Sequence, residues 1–320
     1  MDFALLNLRT HTNKAMTVQP TRFPRVGYSI LSYLMFINTI FSVFNNSLVI
    51  AVMLKNVHFL NALNVIILSL AVSDLMIASC GSALVTITNY KGAFFLGDAF
   101  CVFQGFATLM SFFLGLVSLC TLTLLAYERY NVVCKPKAGL KLNVCRSCQG
   151  LLFIWLYCLF WAVAPLLGWS LYGPSWSNYS YLIFYTIMCF ILPTAVIVFC
   201  NSNMLIIELQ GGKNCLEENE HAVQMVLAMI MAFFICWLLY TTISVVVVVD
   251  PEIYIPPRVT TMPIYFAKTS SVYNPIIYFL TNKRVFLRIV SGNPVLWVIH
   301  PSSHCWRSNN VLNTEEPKQD

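Results

Sequence analysis

The sequence has 320 residues, of which 58% are apolar or aromatic and only 10% charged, with a formal net charge of +6. A water-soluble core cannot absorb that much apolar surface, so an ordinary soluble enzyme or a nucleic-acid-binding domain is excluded, and lipid is the expected solvent. Crossing a hydrocarbon layer of about 30 Å takes about 20 residues. Seven runs reach that length: Tyr28 to Leu54, Leu63 to Thr88, Phe100 to Ala126, Gly150 to Trp169, Tyr181 to Ile207, Ala222 to Val249 and Val259 to Leu280. Each must be helical, because an unpaired backbone cannot sit in lipid. The expected fold is therefore an all-α membrane protein, a bundle of seven transmembrane helices.

The leader, residues 1–27, lacks the short apolar core of a signal peptide, so the first span is expected to serve as its own insertion signal. Arg129, Lys135, Lys137, Lys141 and Arg146 flank the third and fourth spans, and Lys283, Arg284 and Arg288 follow the seventh. Basic loops stay in the cytoplasm, which puts the leader outside. The seven spans and a short eighth helix fill residues 28–288, and residues 289–320 form a polar cytoplasmic tail. Most of the twelve cysteines, such as Cys120, Cys158 and Cys189, fall inside spans and read as buried thiols rather than a disulfide scaffold.

Polar residues inside the spans carry the chemistry, since each costs a few kcal/mol in lipid and must face the bundle interior. Asn46 in the first span (NNSLV) and Asp74 in the second (LAVSD) suggest an internal cluster holding water or a sodium ion; simple hydrogen-bonded glue between helices is the plainer alternative. Glu128-Arg129-Tyr130 closes the third span on the basic side, where the arginine can pair with its neighbouring acid or with a partner. Trp237 (FFICWLLY, sixth span) could floor a cavity or simply pack. Asn274-Pro275-Ile276-Ile277-Tyr278 closes the seventh span, and Pro275 removes a backbone hydrogen bond, so a bend is expected there.

Lys268 precedes Tyr278 by ten residues, which at a rise of about 1.5 Å per residue places it about 15 Å inside the membrane. Desolvation favours the neutral amine, and a neutral amine can attack an aldehyde. The alternative is a lysine paired with an acid or bathed in a water-filled vestibule.

As an ordered set, NNSLV, LAVSD, ERY, the CW pair of the sixth span and NPIIY resemble the rhodopsin-like G protein-coupled receptors over residues 28–286. The segment FAKTSSVYNPIIYFLTNKR is similar to the seventh helix of an opsin, CVFQGF and APLLGW support the likeness, and the mix resembles a non-visual opsin. The resemblance implies 11-cis-retinal bound as a Schiff base on Lys268. It also implies a pocket lined by Phe190, Phe233, Trp237 and Tyr240, and a heterotrimeric G protein engaging Glu128, Arg129 and Tyr130 while Asn274, Pro275 and Tyr278 take part in activation.

Departures from the family pattern bear on that reading. The loop between the fourth and fifth spans is reduced to about Ser170 through Ser180, without the cysteine that in opsins pairs with the one at the top of helix three, here Cys101. Counted from Cys101 to Arg129, the third helix is three residues longer than the family norm, so the position of the usual helix-three counterion is Gln104 from one end and Ala107 from the other. Leu239 replaces a proline of the sixth helix. The loop between spans five and six carries Glu217, Glu218 and Glu220 against Lys213, and Asn178-Tyr179-Ser180 is a glycosylation sequon on the outer side.

Three functions remain open at this point: a light-sensing receptor at the plasma membrane; a receptor for a diffusible ligand in which Lys268 holds a carboxylate; and a signalling-dead membrane protein, itself held in the endoplasmic reticulum, that acts only by pairing with, or retaining, a full-length relative.

Overall fold

The computed structural model describes residues 25–55, 61–91, 97–136, 142–165, 167, 169, 176–209, 213–249, 253 and 255–281. The leader, most of the loop between spans four and five, the expected eighth helix and the tail lie outside these residues. The chain divides into two compact units, Met1–Asn282 and Lys283–Asp320, and every described residue belongs to the first.

Seven helical elements follow in order: α1 (Arg25–Lys55), α2 (Ala62–Met76, a π-helical turn at Ile77–Ser82, then Ala83–Lys91), α3 (Gly97–Cys134), α4 (Val144–Val163), α5 (Trp176–Thr186, a π-helical turn at Ile187–Ile191, then Leu192–Leu209), α6 (Lys213–Val249) and α7 (Pro257–Thr281). No strand occurs among the described residues. Asparagine begins two of these helices. Asn61 accepts the Asn64 amide and Asn143 the Arg146 amide, both at 2.8 Å, so each side chain satisfies a first-turn N–H that has no intrahelical partner. Pro165, one residue past the C-cap Ala164, cannot continue the α4 ladder.

Among the described residues, six helices are long and apolar enough to cross a membrane; α7, with 25 residues, has the length, but Lys268 and its hydroxyl side chains lower its hydropathy. Those hydroxyls are satisfied inside the bundle. Thr269, Ser270 and Ser271 donate to the carbonyls of Phe266, Ala267 and Lys268 at 2.7, 2.8 and 3.1 Å. The helix is continuous through both Pro263 and Pro275.

Polar bonds inside the bundle tie neighbouring helices. Ser32 donates to the Thr86 carbonyl (α1 to α2, 2.8 Å), Trp155 to Ser69 (α4 to α2, 3.1 Å) and Ser42 to Ser271 (α1 to α7, 2.9 Å). The π turn of α5 presents the Met188 carbonyl to the Tyr157 hydroxyl at 2.9 Å. The main core joins α2 through α5 around Phe113, Leu114, Val117, Ile154, Trp161 and Tyr181. Large apolar side chains also cover the outside, as lipid requires: Phe153 is 68% exposed, whereas Asp74 is 1% exposed.

The structure corrects four expectations. Glu128, Arg129 and Tyr130 do not close the third helix, which runs one further turn to Cys134. The acidic stretch Glu217 to Glu220 is not in a loop; α6 begins at Lys213, because nothing in that stretch breaks a helix. The connection between α4 and α5 is shorter than Ser170 to Ser180, since α5 begins at Trp176, and the backbone of Asn178 is therefore helical. Helix four starts at Val144, earlier than Gly150, and ends at Val163, short of Trp169.

Candidate functional site

Lys268 sits half-buried between α2, α3 and α7. A glycine makes that placement possible. A methyl group built on Gly81, in the π turn of α2, would lie 2.0 Å from Ser111 Oγ and 3.1 Å from Lys268 Nζ, so the missing side chain is the space these two polar atoms share. Ser111 in turn donates to the Ala107 carbonyl at 2.8 Å. Ala107, one of the two candidates for the helix-three counterion position, is buried. The side chains of Gln104, Cys101 and Asp98 lie outside the described residues. The only ion pair among the described residues joins Glu128 to Arg129, so no acid there forms one with Lys268.

Aromatic rings stack on α6. Phe233 and Trp237 lie nearly parallel with centroids 5.5 Å apart, and Tyr240 meets Trp237 edge-on at 5.8 Å. The indole donates to Ser270 Oγ at 3.2 Å, and its ring occupies the space left by Gly115, where an added Cβ would stand 2.7 Å from the indole Cη2. The structure thus brings together three of the four expected pocket residues. Phe190 is half-buried on the π turn of α5 and joins none of the ring pairs among the described residues. A second aromatic array, which the sequence reading missed, links Phe112, Trp161, Tyr181 and Tyr185 across α3, α4 and α5, with Phe112 stacked on Tyr185 at 5.3 Å.

Further along α7 from Lys268, at Asn274, lies the polar network. Asp74 Oδ2 accepts from Asn274 at 2.8 Å, and Oδ1 accepts from Ser118 at 3.2 Å. Asn46 donates to the carbonyls of Ser42 and Ser271 at 2.8 and 2.9 Å, while its Oδ1 is buried without a partner. A cavity of about 10 Å³, lined by Asn46, Leu70, Met229, Asn274 and Pro275 among others, adjoins it. Asn46 and Asp74 therefore both hold α7, but through different contacts. Toward the end of α3, Arg129 is buried and paired with Glu128, and Tyr130 packs on Phe199 at 5.6 Å with Lys135 over its ring at 5.3 Å. Tyr278 is buried beside Phe279, with ring centroids 5.8 Å apart.

Residues 45–278 match the family profile described as "7 transmembrane receptor (rhodopsin family)". The chain is 36% identical to pinopsin of Columba livia over 285 residues, covering 83% of this chain and 81% of that protein. It is 35% identical to parapinopsin of Ictalurus punctatus, covering 82% of this chain and 81% of its relative. This chain belongs to the opsin family. Squid rhodopsin shares the fold of this opsin with a TM-score of 0.77 at 21% identity, covering 95% of this chain and 92% of the other. The opsin is thus a multi-pass membrane receptor of the G protein-coupled class, in a family of photoreceptors rather than enzymes.

Gly81, Ser111 and Gly115 were not singled out from the sequence. The available signal was weak: glycine weakens a helix and can mark a close approach, but Gly105 of α3 looks the same in sequence and meets nothing within 4 Å.

Proposed function

We propose that this opsin is a light-sensing receptor that binds 11-cis-retinal through a Schiff base on Lys268. The observation that carries the reading is the position of Lys268 Nζ beside the Gly81 gap, with no acid pairing to it among the described residues. An amine held that way can condense with an aldehyde, and a lysine retained for an ion pair would face a carboxylate. The aromatic stack of Phe233, Trp237 and Tyr240 suits a flat polyene, and Phe190 is assigned to the same pocket by its place in the family motif. Retinal, when bound, supplies the light absorption and the change of shape. The chain's residues do the rest: Trp237 and Gly115 fix one wall, Lys268 tethers, and the helices exclude water.

Signal output is assigned to Glu128, Arg129 and Tyr130, with a heterotrimeric G protein engaging Arg129 once α6 and α7 move. Asn274, Pro275 and Tyr278 form the part of α7 that moves. Asn46 and Asp74 are read as an internal polar network for water or a sodium ion, with Asn46 Oδ1 a buried acceptor that no protein group satisfies. The outer surface faces membrane lipid. Cys101 is proposed as a free thiol, Asn178 as the glycosylated residue, and the plasma membrane as the destination of folded chains.

Incubation of the purified chain with 11-cis-retinal, followed by borohydride, tests the reading. Hydride addition to the C=N bond leaves a stable secondary amine, so mass spectrometry should find the adduct on the peptide containing Lys268. Its absence would leave the diffusible-ligand and retained-variant readings standing.

A further inference from the structure

We infer that the hydroxyl oxygen of Ser111 is the hydrogen-bond acceptor for the reactive nitrogen of Lys268, which makes Ser111 the residue that positions that nitrogen. The inference rests on the retinal reading above and adds a partner on this chain's third helix. Ser111 Oγ and Lys268 Nζ border one point, 2.0 and 3.1 Å from it, and so lie within about 5 Å of each other. Ser111 Oγ takes the space that a Cβ on residue 81 would fill, because residue 81, in the π turn Ile77–Ser82, is glycine. Ser111 gives its own proton to the Ala107 carbonyl at 2.8 Å, which fixes the rotamer and leaves the oxygen lone pairs for a donor. The free amine and the protonated imine both carry N–H groups, so the two groups match in sense before retinal is attached and again at acid pH, where the imine takes up a proton.

Among the described residues, the groups around Lys268 leave Ser111, whose oxygen borders the same point as Lys268 Nζ, as the candidate; Ser82 Oγ, next to Gly81, is buried without a partner but is not among the atoms nearest that point. On α2, both oxygens of Asp74 are engaged, by Asn274 and Ser118, and Asn274 lies six residues along α7, or about 9 Å, from Lys268. On α6, Cys236 is bonded to Thr269 and Tyr240 packs on Trp237. On α1, Asn38 reaches the Lys268 carbonyl at 3.4 Å, not its amine, and that helix has no acid. Tyr265 on α7 packs against Phe266. A neutral hydroxyl thus borders the same point as Lys268 Nζ, with no acid paired to the lysine among the described residues.

The test compares the full-length chain with Ser111→Ala, Ser111→Thr and Ser111→Asp, each loaded with 11-cis-retinal and each checked by borohydride trapping. Resonance Raman spectra in H₂O and D₂O, taken at acid pH where the C=N nitrogen carries a proton, report the strength of its hydrogen bond. Ser111→Ala should change the C=N isotope shift, and Ser111→Thr should restore it. Ser111→Asp should move the neutral-pH absorption from the ultraviolet into the visible, a gain that misfolding cannot produce. An adduct with unchanged isotope shifts in Ser111→Ala and no visible band in Ser111→Asp overturns the role of Ser111 and leaves the retinal reading intact. Absence of an adduct in the unaltered chain overturns the retinal reading, and the proposal with it.

Discussion

Asn274 on α7 donates a 2.8 Å hydrogen bond to the buried carboxyl of Asp74 on α2. The contact joins positions 200 residues apart and, with Ser118, uses both oxygens of the acid. Asp74→Ala would strand the buried Asn274 donor, while Ser118 could turn to Ser73 Oγ at 3.0 Å, and an unsatisfied buried group costs about 1 to 3 kcal/mol. Asp74→Asn keeps one acceptor and should lose less. Thermal unfolding in detergent should rank the three proteins in that order, with Asp74→Ala the least stable; equal midpoints would show the network to be dispensable.

Two glycines of α3 offer a matched pair. An alanine at Gly115 would put its methyl 2.7 Å from the Trp237 indole, whereas at Gly105 the same methyl meets nothing within 4 Å. Overpacking costs about 1 to 3 kcal/mol, while glycine to alanine on an open helix face gains up to about 1. Gly115→Ala should therefore lower the melting temperature and change tryptophan fluorescence, and Gly105→Ala should do neither.

Legibility of the sequence divided along physical lines. Helix number and order could be read because hydropathy over about 20 residues is set by lipid, and Asp74, Asn274 and Lys268 stood out because each is costly there. The ends of α3, α5 and α6 could not, since helices continue past the hydrocarbon edge wherever no glycine or proline stops them, as at Arg129 and Glu217. The π turns at Ile77–Ser82 and Ile187–Ile191 left no pattern in residue type, and Gly81, which meets Ser111, lies in the first of them.

Absorption should follow the charge inventory. A retinylidene nitrogen keeps its proton at neutral pH only with an anion within about 4 to 6 Å. Position 107 is alanine, and the acid of α2 is held by Asn274 and Ser118. The reconstituted protein should absorb in the ultraviolet at neutral pH and gain a visible band on acidification, and Lys268→Ala should show neither. A stable visible band at neutral pH would point to Asp98 as the counterion.

Surface delivery should be poor. Native disulfides commonly contribute about 2 to 5 kcal/mol, and the resemblance assigns Cys101 no partner. Immunostaining should find most of the chain in the endoplasmic reticulum, and plasma-membrane staining equal to that of an intact opsin would refute this.

Glycosidase treatment should shift the protein on a gel, and Asn178→Gln should abolish the shift. The sequon Asn45-Asn46-Ser47 has its acceptor, Asn45, in the middle of α1 (Arg25–Lys55), so a shift that survives Asn178→Gln would contradict α1 as a membrane span.

Phe41, Phe44, Phe153 and Ile235 stand on the outside while Ser42, Asn46, Asp74 and Ser271 are shut within. Such a surface is at home in one medium and not in another. Urea, which acts by wetting apolar groups, has its natural target already outside and facing an oily neighbour, so it should unfold this bundle weakly. A short-chain or charged detergent, able to slip between helices and reach the serine and asparagine contacts, is the agent this architecture has to resist. Any purification scheme is thus a choice of replacement lipid before it is a choice of buffer.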